Sequence, residues 1–127
     1  MTENTSNWLP LEQDSRIQKR IIQKGSDSEF HPVPHREAVV HYTGRLTDGT
    51  TFDSSIPRKE PFKFKVDEGV IEGWSIGVQS MRFGEIAEFK FPHELGYGEM
   101  GSPPTIPPNA ELLFEIQLLG FDCGADP

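Results

Sequence analysis

The sequence has few of the features that mark disulfide-rich, membrane-spanning or secreted proteins. It has a single cysteine, Cys123, among 127 residues, so no disulfide can form within the chain and a reducing compartment is the simpler environment. No apolar run approaches the length needed to cross a bilayer. Residues 1–7 are polar and lack a basic stretch followed by an apolar run, so no signal peptide is visible. We therefore expect the cytoplasm as its location, with the nucleus as an alternative, and no membrane partner.

Basic residues are also scarce. The chain carries 12 Lys and Arg against 20 Asp and Glu, a net charge of -8, and the acidic excess lies in residues 37–127 because residues 1–36 are balanced. No cluster of Lys and Arg forms a basic stripe, and an acidic surface repels phosphate backbones. We therefore expect no nucleic-acid partner, and we interpret the acidic excess as keeping the domain soluble.

Metal-binding and nucleophilic side chains do not form a recognisable set either. The four histidines lack Cys or carboxylate partners at ligand spacing, so we expect no metal and no cofactor. Asp53-Ser54-Ser55 with His41 could suggest a Ser-His-Asp hydrolase, but the elbow motif that exposes such a serine is missing. The segment Gly69 to Gly73 lacks the Lys-Ser/Thr ending of a phosphate loop.

Apolar residues that alternate with polar ones predict strands at several points in the chain. The alternation is clearest around Val40 and Tyr42, around Phe62 and Phe64, from Ala87 to Phe91, and from Leu112 to Leu118. Asp48-Gly49 is a dipeptide that closes a hairpin, because glycine accepts the positive φ needed there. Residues 16–24 are ambiguous, since the spacing of their isoleucines suits a helix while their β-branched content suits a strand.

One short helix is predicted between these strands. Trp74, Val78 and Met81 recur at i, i+4 and i+7, which is the spacing of one helical stripe, and Gly84 ends it. Residues 92–109 are rich in Gly and Pro and are predicted as a long loop. Several strands and one helix without a βαβ rhythm indicate an α+β fold, in which an antiparallel sheet wraps over the helix.

The length of the chain suits one domain with a single core. We assign residues 16–121 to that domain. Residues 1–15 are interpreted as a flexible, polar N-terminal extension, and residues 122–127 as a C-terminal tail.

Three short stretches place aromatic residues beside glycines. The first runs from Val39 to Gly44 (VVHYTG) and continues at Phe52-Asp53-Ser54-Ser55; the second is Gly69 to Trp74 (GVIEGW); the third is Tyr97 to Gly101 (YGEMG), ahead of Ile106-Pro107-Pro108. Besides rings and glycines they offer little reactive chemistry. This pattern indicates a preformed apolar slot, and rotation about a prolyl peptide bond is one of the few reactions that a slot alone can promote.

In this order the three stretches closely resemble the FKBP-type peptidyl-prolyl isomerases, the immunophilins that bind tacrolimus and rapamycin. The resemblance covers residues 16–121 and is densest from 38 to 118. It implies a twisted half-barrel sheet wrapped around one short helix. It also favours a strand for residues 16–24, because family members often begin with a Lys- and Ile-rich strand that ends in glycine.

The resemblance also assigns roles within the slot. Trp74 is expected to form the floor of the prolyl pocket, and the Ile71 N–H and the Tyr97 hydroxyl are expected to donate to a bound carbonyl. Asp53 is expected to accept a hydrogen bond from a ligand hydroxyl and to orient the wall beside Tyr42. The expected catalytic residues are Asp53, Tyr97, Trp74 and Phe52. The remaining ligand-binding residues are expected to be Tyr42, Phe62, Val70, Ile71 and Phe114 in the walls, with Ile106 overhanging the slot.

The chain departs from the family pattern at the rim of this slot. The turn Val66 to Gly69 is one residue shorter than the usual version, and Ser102 and Thr105 stand where bulkier residues are common. Pro103-Pro104 is expected to stiffen the same loop. These departures bear on sequence preference and ligand affinity.

The sequence therefore predicts an enzyme, a peptidyl-prolyl cis-trans isomerase that acts on X-Pro bonds in proteins and binds macrolides such as tacrolimus and rapamycin. It needs no cofactor. The alternative is a binding module, a weakly catalytic domain that recognises proline-containing segments and serves as a scaffold in a chaperone assembly of a longer immunophilin.

Overall fold

A computed structural model describes residues 8–123 of the chain. The strands are β1 Leu9–Pro10, β2 Gln18–Gln23, β3 Glu37–Leu46, β4 Thr51–Ser54, β5 Phe62–Lys65, β6 Ile86–Phe91 and β7 Leu112–Phe121. Helix α1 spans Glu72–Gln79, and a short 3₁₀-helix spans His93–Leu95. None of the helices in this part of the chain has the length and apolar character that a membrane crossing requires.

The strands form one antiparallel sheet in the order β1-β2-β6-β7-β3-β4. The two ten-residue strands β3 and β7 pair along most of their length and form its centre. β5 and β4 share the other edge of β3, with β5 beside residues 37–40 and β4 beside residues 43–45. The chain between them, residues 55–61, leaves the sheet. The predicted α+β fold and the strand at residues 16–24 are confirmed.

The alternation read from the sequence separates the core face from the outer face of β3, β5, β6 and β7, as predicted. The buried strand residues are Ala38, Val40 and Tyr42 on β3, Phe64 on β5, Ala87, Phe89 and Phe91 on β6, and Leu112, Phe114, Ile116 and Leu118 on β7. Helix α1 covers this face with Trp74 and Val78. Burial of apolar surface between helix and sheet is the main stabilising term in such a core.

Two glycines let α1 lie directly on the sheet. A Cβ placed on Gly73 would be 2.7 Å from the ring of Phe91, and one on Gly77 would be 3.2 Å from the ring of Phe89. The two phenylalanine rings are stacked, with their centroids 5.7 Å apart, so together they form a flat surface under the helix. Because Trp74 follows Gly73, this close approach fixes how far the indole stands from the sheet.

Helix α1 ends earlier than predicted. It stops at Gln79, whereas the sequence pattern placed its end at Gly84, and the buried Met81 lies beyond the last turn. The Ser80 hydroxyl donates to the Gly77 carbonyl at 2.6 Å, and Lys19 Nζ donates to the Ser80 carbonyl at 3.0 Å. These side chains satisfy carbonyls that a longer helix would have bonded, so the helix can end there.

The N-terminal boundary of the domain also needs correction. Leu9 and Pro10 pair with Lys19 and Gln18 of β2, and Leu11 is buried. The boundary drawn at residue 16 therefore places outside the domain residues that join its sheet and core. The rest of the predicted extension, residues 1–7, and residues 124–127 of the predicted tail lie outside the described part of the chain.

Gly73→Ala is expected to destabilise the protein by about 1–2 kcal/mol, because overpacking against the buried Phe91 ring outweighs the better helix propensity of alanine. Urea unfolding measures this difference. Gly120→Ala in β7 is the matched control, since nothing lies within 4 Å of its added Cβ. A Gly73 variant as stable as the Gly120 variant would contradict the close packing of helix on sheet.

Candidate active site

The indole of Trp74 lies at the centre of a cluster of aromatic rings. Its ring centroid is 5.0 Å from that of Tyr42, 5.3 Å from Phe64, 5.4 Å from Phe114 and 5.8 Å from Phe62, all in edge-to-face geometry. Such contacts add to the apolar area that each ring buries and fix ring orientation. Trp74 is only 4% exposed, and that small exposed part faces a cavity.

This cavity has a volume of about 400 Å³ and gathers side chains from most of the domain. Its lining residues are Tyr42, Phe52, Asp53, Phe62, Gly69, Val70, Ile71, Trp74, Tyr97 and Phe114. All four of the expected catalytic residues are among them, and so are all the expected wall residues. These side chains meet because one edge of β3 pairs with two strands. β4 brings Phe52 and Asp53 to one side of the cavity, and β5 brings Phe62 to the other side.

Ile106 is the one expected ligand-binding residue that does not line the cavity. It is buried at 4% exposure and packs into the hydrophobic core. The backbones of Ser102 and Ile106 exchange hydrogen bonds of 2.8 and 2.9 Å, so the loop folds back on itself. The isoleucine thus anchors the loop that carries Tyr97, and its expected contact with a ligand stays a prediction.

Asp53 is the carboxylate of the site, and its two oxygens have different partners. The Tyr42 hydroxyl donates to Oδ2 at 2.7 Å, while the Arg58 guanidinium lies 3.7 Å from Oδ1. Arg58 also donates to the Tyr42 hydroxyl oxygen at 3.4 Å. This network holds Asp53 against Tyr42.

Sequence reasoning missed Arg58. It lies in the segment that leaves the sheet between β4 and β5, where the sequence offers no periodic pattern. The available signal was electrostatic, because a cation five residues after a carboxylate in a short loop can fold back onto it. Gly69, at the end of the shortened turn, also lines the cavity and was not assigned a role.

Both tyrosines of the site keep their protons to unusually high pH. Burial raises the pKa of Tyr42 above its ordinary value of 10.0, and its hydrogen bond to Asp53 adds to this effect. Burial also raises the pKa of Tyr97, helped by the negative charge of Asp53. Each phenol is therefore a hydrogen-bond donor throughout the physiological range.

Two donors at the cavity have no acceptor among residues 8–123. The Ile71 N–H precedes the first turn of α1, where helix geometry provides no partner, and no other described group accepts its hydrogen. The Tyr97 hydroxyl, 40% exposed as a residue, likewise donates to no described residue. An oxygen bound in the cavity can satisfy both groups.

The described residues contain no arrangement that supports a Ser-His-Asp hydrolase or a metal site. His41 Nδ1 lies 2.8 Å from the Ser55 hydroxyl, but Ser55 is fully buried and its oxygen also accepts the Tyr42 N–H at 2.8 Å. This serine therefore joins β3 to the end of β4 and is closed to a substrate. Residues 8–123 contain no group of three or more His, Cys, Asp or Glu able to hold a metal ion.

Comparison with known proteins points to one family. A sequence profile described as FKBP-type peptidyl-prolyl cis-trans isomerase matches residues 29–119. The chain is 44% identical over 107 residues to FK506-binding protein 1A of Aspergillus fumigatus, covering 84% of this chain and 95% of that protein. It is 50% identical over 110 residues to peptidyl-prolyl cis-trans isomerase FKBP2 of Mus musculus, covering 82% and 79%.

Longer proteins match as well. Peptidyl-prolyl cis-trans isomerase FKBP4 of Rattus norvegicus is 45% identical over 121 residues, which cover 89% of this chain. The chain spans about a quarter of the length of that protein, since the match covers 26% of it.

Tyr42→Phe is expected to destabilise the protein by about 1–2 kcal/mol, because it removes the partly buried hydrogen bond to a charged carboxylate. Tyr97→Phe is the matched control and should change the free energy of unfolding by less than about 0.5 kcal/mol, since its hydroxyl bonds to none of the described residues. Urea unfolding of both variants checks this. Equal losses in the two would contradict the assignment of Tyr97 as a free donor.

Proposed function

The chain belongs to the FKBP-type peptidyl-prolyl cis-trans isomerase family, and from this premise we propose that it accelerates rotation about X-Pro bonds in protein substrates at the Trp74 cavity. The observation that carries the proposal is the cavity itself, floored by the indole of Trp74 and bordered by two donors without internal acceptors. Proline is the natural occupant because its ring is compact and apolar and its amide lacks an N–H.

The reaction requires a change of environment more than a reactive group. Rotation about an amide meets a barrier of roughly 18–20 kcal/mol, which arises from partial double-bond character. The planar amide is more polar than the twisted one, so water favours the ground state. A cavity lined mainly by aromatic and aliphatic side chains weakens that preference and lets binding favour the twisted form.

The polar groups of the site hold the substrate while the bond turns. Ile71 and Tyr97 both line the cavity, so the Ile71 N–H and the Tyr97 hydroxyl can each donate to a substrate carbonyl. Asp53 accepts the Tyr42 hydrogen bond and can accept another from a ligand hydroxyl. Phe52 contacts Phe114 edge-on, with centroids 5.5 Å apart, and keeps water from the side of the cavity.

An apolar residue before the proline suits this surface, because aromatic side chains border the cavity. Phe62, which is about one-third exposed, and the partly buried Val70 offer it apolar area. Relatives of the chain are named FK506-binding proteins, and FK506 is tacrolimus. We extend to this chain the binding of tacrolimus and rapamycin in the same cavity.

A second candidate function follows from the length of the relatives. Because the chain spans about a quarter of the FKBP4 protein, it can act as one binding domain of a larger cytoplasmic immunophilin that associates with a chaperone. In that case the cavity holds a proline-containing segment but turns it over poorly. Tacrolimus binding without measurable isomerase activity would favour this function.

The proposed reaction is tested by cis/trans exchange of an apolar-X-Pro peptide, followed by NMR. The expected exchange rate rises in proportion to protein concentration, and Tyr97→Phe lowers kcat/KM by about tenfold, as the loss of one hydrogen bond predicts. Exchange no faster than in buffer would refute the proposed activity. A Tyr97 variant with unchanged kcat/KM would remove that hydroxyl from the mechanism.

The pH dependence of the reaction follows from the two phenols. Because the pKa of Tyr97 and that of Tyr42 are both raised, the donating, neutral form of each persists beyond pH 10.0. We expect kcat/KM to stay constant from about pH 6 to about pH 9, since both phenols keep their protons across that range. The same exchange measurement checks this. An inflection between pH 7 and 9 would show that another titrating group takes part.

A further inference from the structure

Ser75 is one of three polar or charged residues that are buried within residues 8–123, and the other two are Ser55 and Glu85. It is 1% exposed and follows Trp74 directly in α1. A buried hydroxyl needs a hydrogen-bond partner, and serine is a poorer helix former than alanine. The partner of Ser75 therefore indicates why a serine occupies this position.

That partner belongs to the shortened turn before α1. The Asp67 N–H donates to the Ser75 hydroxyl oxygen at 2.7 Å. The turn is sharp, because Asp67 has a φ of 70° and Gly69 a φ of 72°, so the backbone enters the left-handed region twice within three residues. Gly69, which ends the turn, lines the Trp74 cavity. The hydroxyl of Ser75 thus connects α1 to a turn that reaches the cavity.

The segment after this turn has few other anchors. Within residues 8–123, no group accepts the backbone N–H of Gly69, Val70 or Ile71. At the end of the segment the Trp74 N–H donates to the Ile71 carbonyl at 3.0 Å. Hydrogen bonds to α1 therefore hold the segment at its two ends, through Asp67 and through Ile71, and partial burial of Val70 and Ile71 against the core adds to them.

The same segment supplies both wall and donor to the cavity. Gly69, Val70 and Ile71 all line it, and the Ile71 N–H can donate to a substrate carbonyl. A hydrogen bond weakens steeply when its donor is misaligned, so the position of this segment affects how well a substrate is held. Because Asp67 is exposed, the turn can open to water while the core stays folded.

We infer that Ser75 is a positioning residue for substrate at the Trp74 cavity. Its hydroxyl ties the shortened turn to α1 and so fixes the wall at residues 69–71, together with the Ile71 N–H. The inference rests on the proposed function, because it requires a proline-containing substrate in that cavity. Ser75 itself does not line the cavity, so it acts through the turn and not by contact with the substrate.

The test compares Ser75→Ala with Ser80→Ala. The first variant removes the acceptor of the Asp67 N–H. The second removes a hydroxyl just beyond the other end of α1, where Ser80 donates to the Gly77 carbonyl at 2.6 Å, and it leaves the turn intact. Urea unfolding gives the stability of both, so that activities are compared under conditions in which both variants are folded.

The expected losses are local to the turn. In exchange spectroscopy of a Leu-Pro peptide, Ser75→Ala should lower kcat/KM about three- to tenfold, the factor that corresponds to one hydrogen bond, while Ser80→Ala leaves it unchanged. In Ser75→Ala the Asp67 amide should also lose protection from hydrogen exchange, and ¹⁵N relaxation should show greater mobility of the amides of residues 69–71. Neither change is expected in Ser80→Ala.

An unchanged kcat/KM in Ser75→Ala, an equal fall in both variants, or amides at residues 69–71 that stay as rigid as before would overturn the inference. Absence of turnover by the unmodified protein would instead refute the proposed activity. The Kd of the same peptide, measured by chemical-shift titration, then decides the role of Ser75. A Kd raised in Ser75→Ala alone would support positioning, and equal Kd values would overturn it.

Discussion

The packing of one indole between a short helix and a sheet is the contact on which the rest of the structure depends. Gly73 and Gly77 bring α1 down onto the stacked rings of Phe91 and Phe89, and this fixes the depth of Trp74. Aromatic edges then surround the indole and leave one small part of it open to the cavity. A buried, rigidly held indole can favour a less polar, twisted amide over a planar one.

The polar groups around this floor follow a consistent arrangement. Those that position the wall are satisfied internally, as with Tyr42 and Asp53, while the Ile71 N–H and the Tyr97 hydroxyl donate to no group among residues 8–123 and can donate to a bound molecule.

Much of the fold and of the cavity lining could be predicted from the sequence, because alternation along β3, β6 and β7 indicates directly which side chains face the core. Features that depend on contacts with residues far away in the sequence, or on how a loop closes, could not be predicted in this way. The helix end is set partly by Lys19, about sixty residues earlier in the chain, and Ile106 turns inward because its loop closes on Ser102. Arg58 lies in a segment with no periodicity, so only its contact with Asp53 identifies it.

The most direct test of the account is a ¹⁵N–¹H titration that follows the two indole N–H signals while an apolar-X-Pro peptide is added. The account predicts that the Trp74 signal shifts saturably, that the Trp8 signal stays in place, and that a matched peptide with Ala for Pro causes neither change. A peptide that binds without moving the Trp74 signal, or that moves only the Trp8 signal, would contradict it.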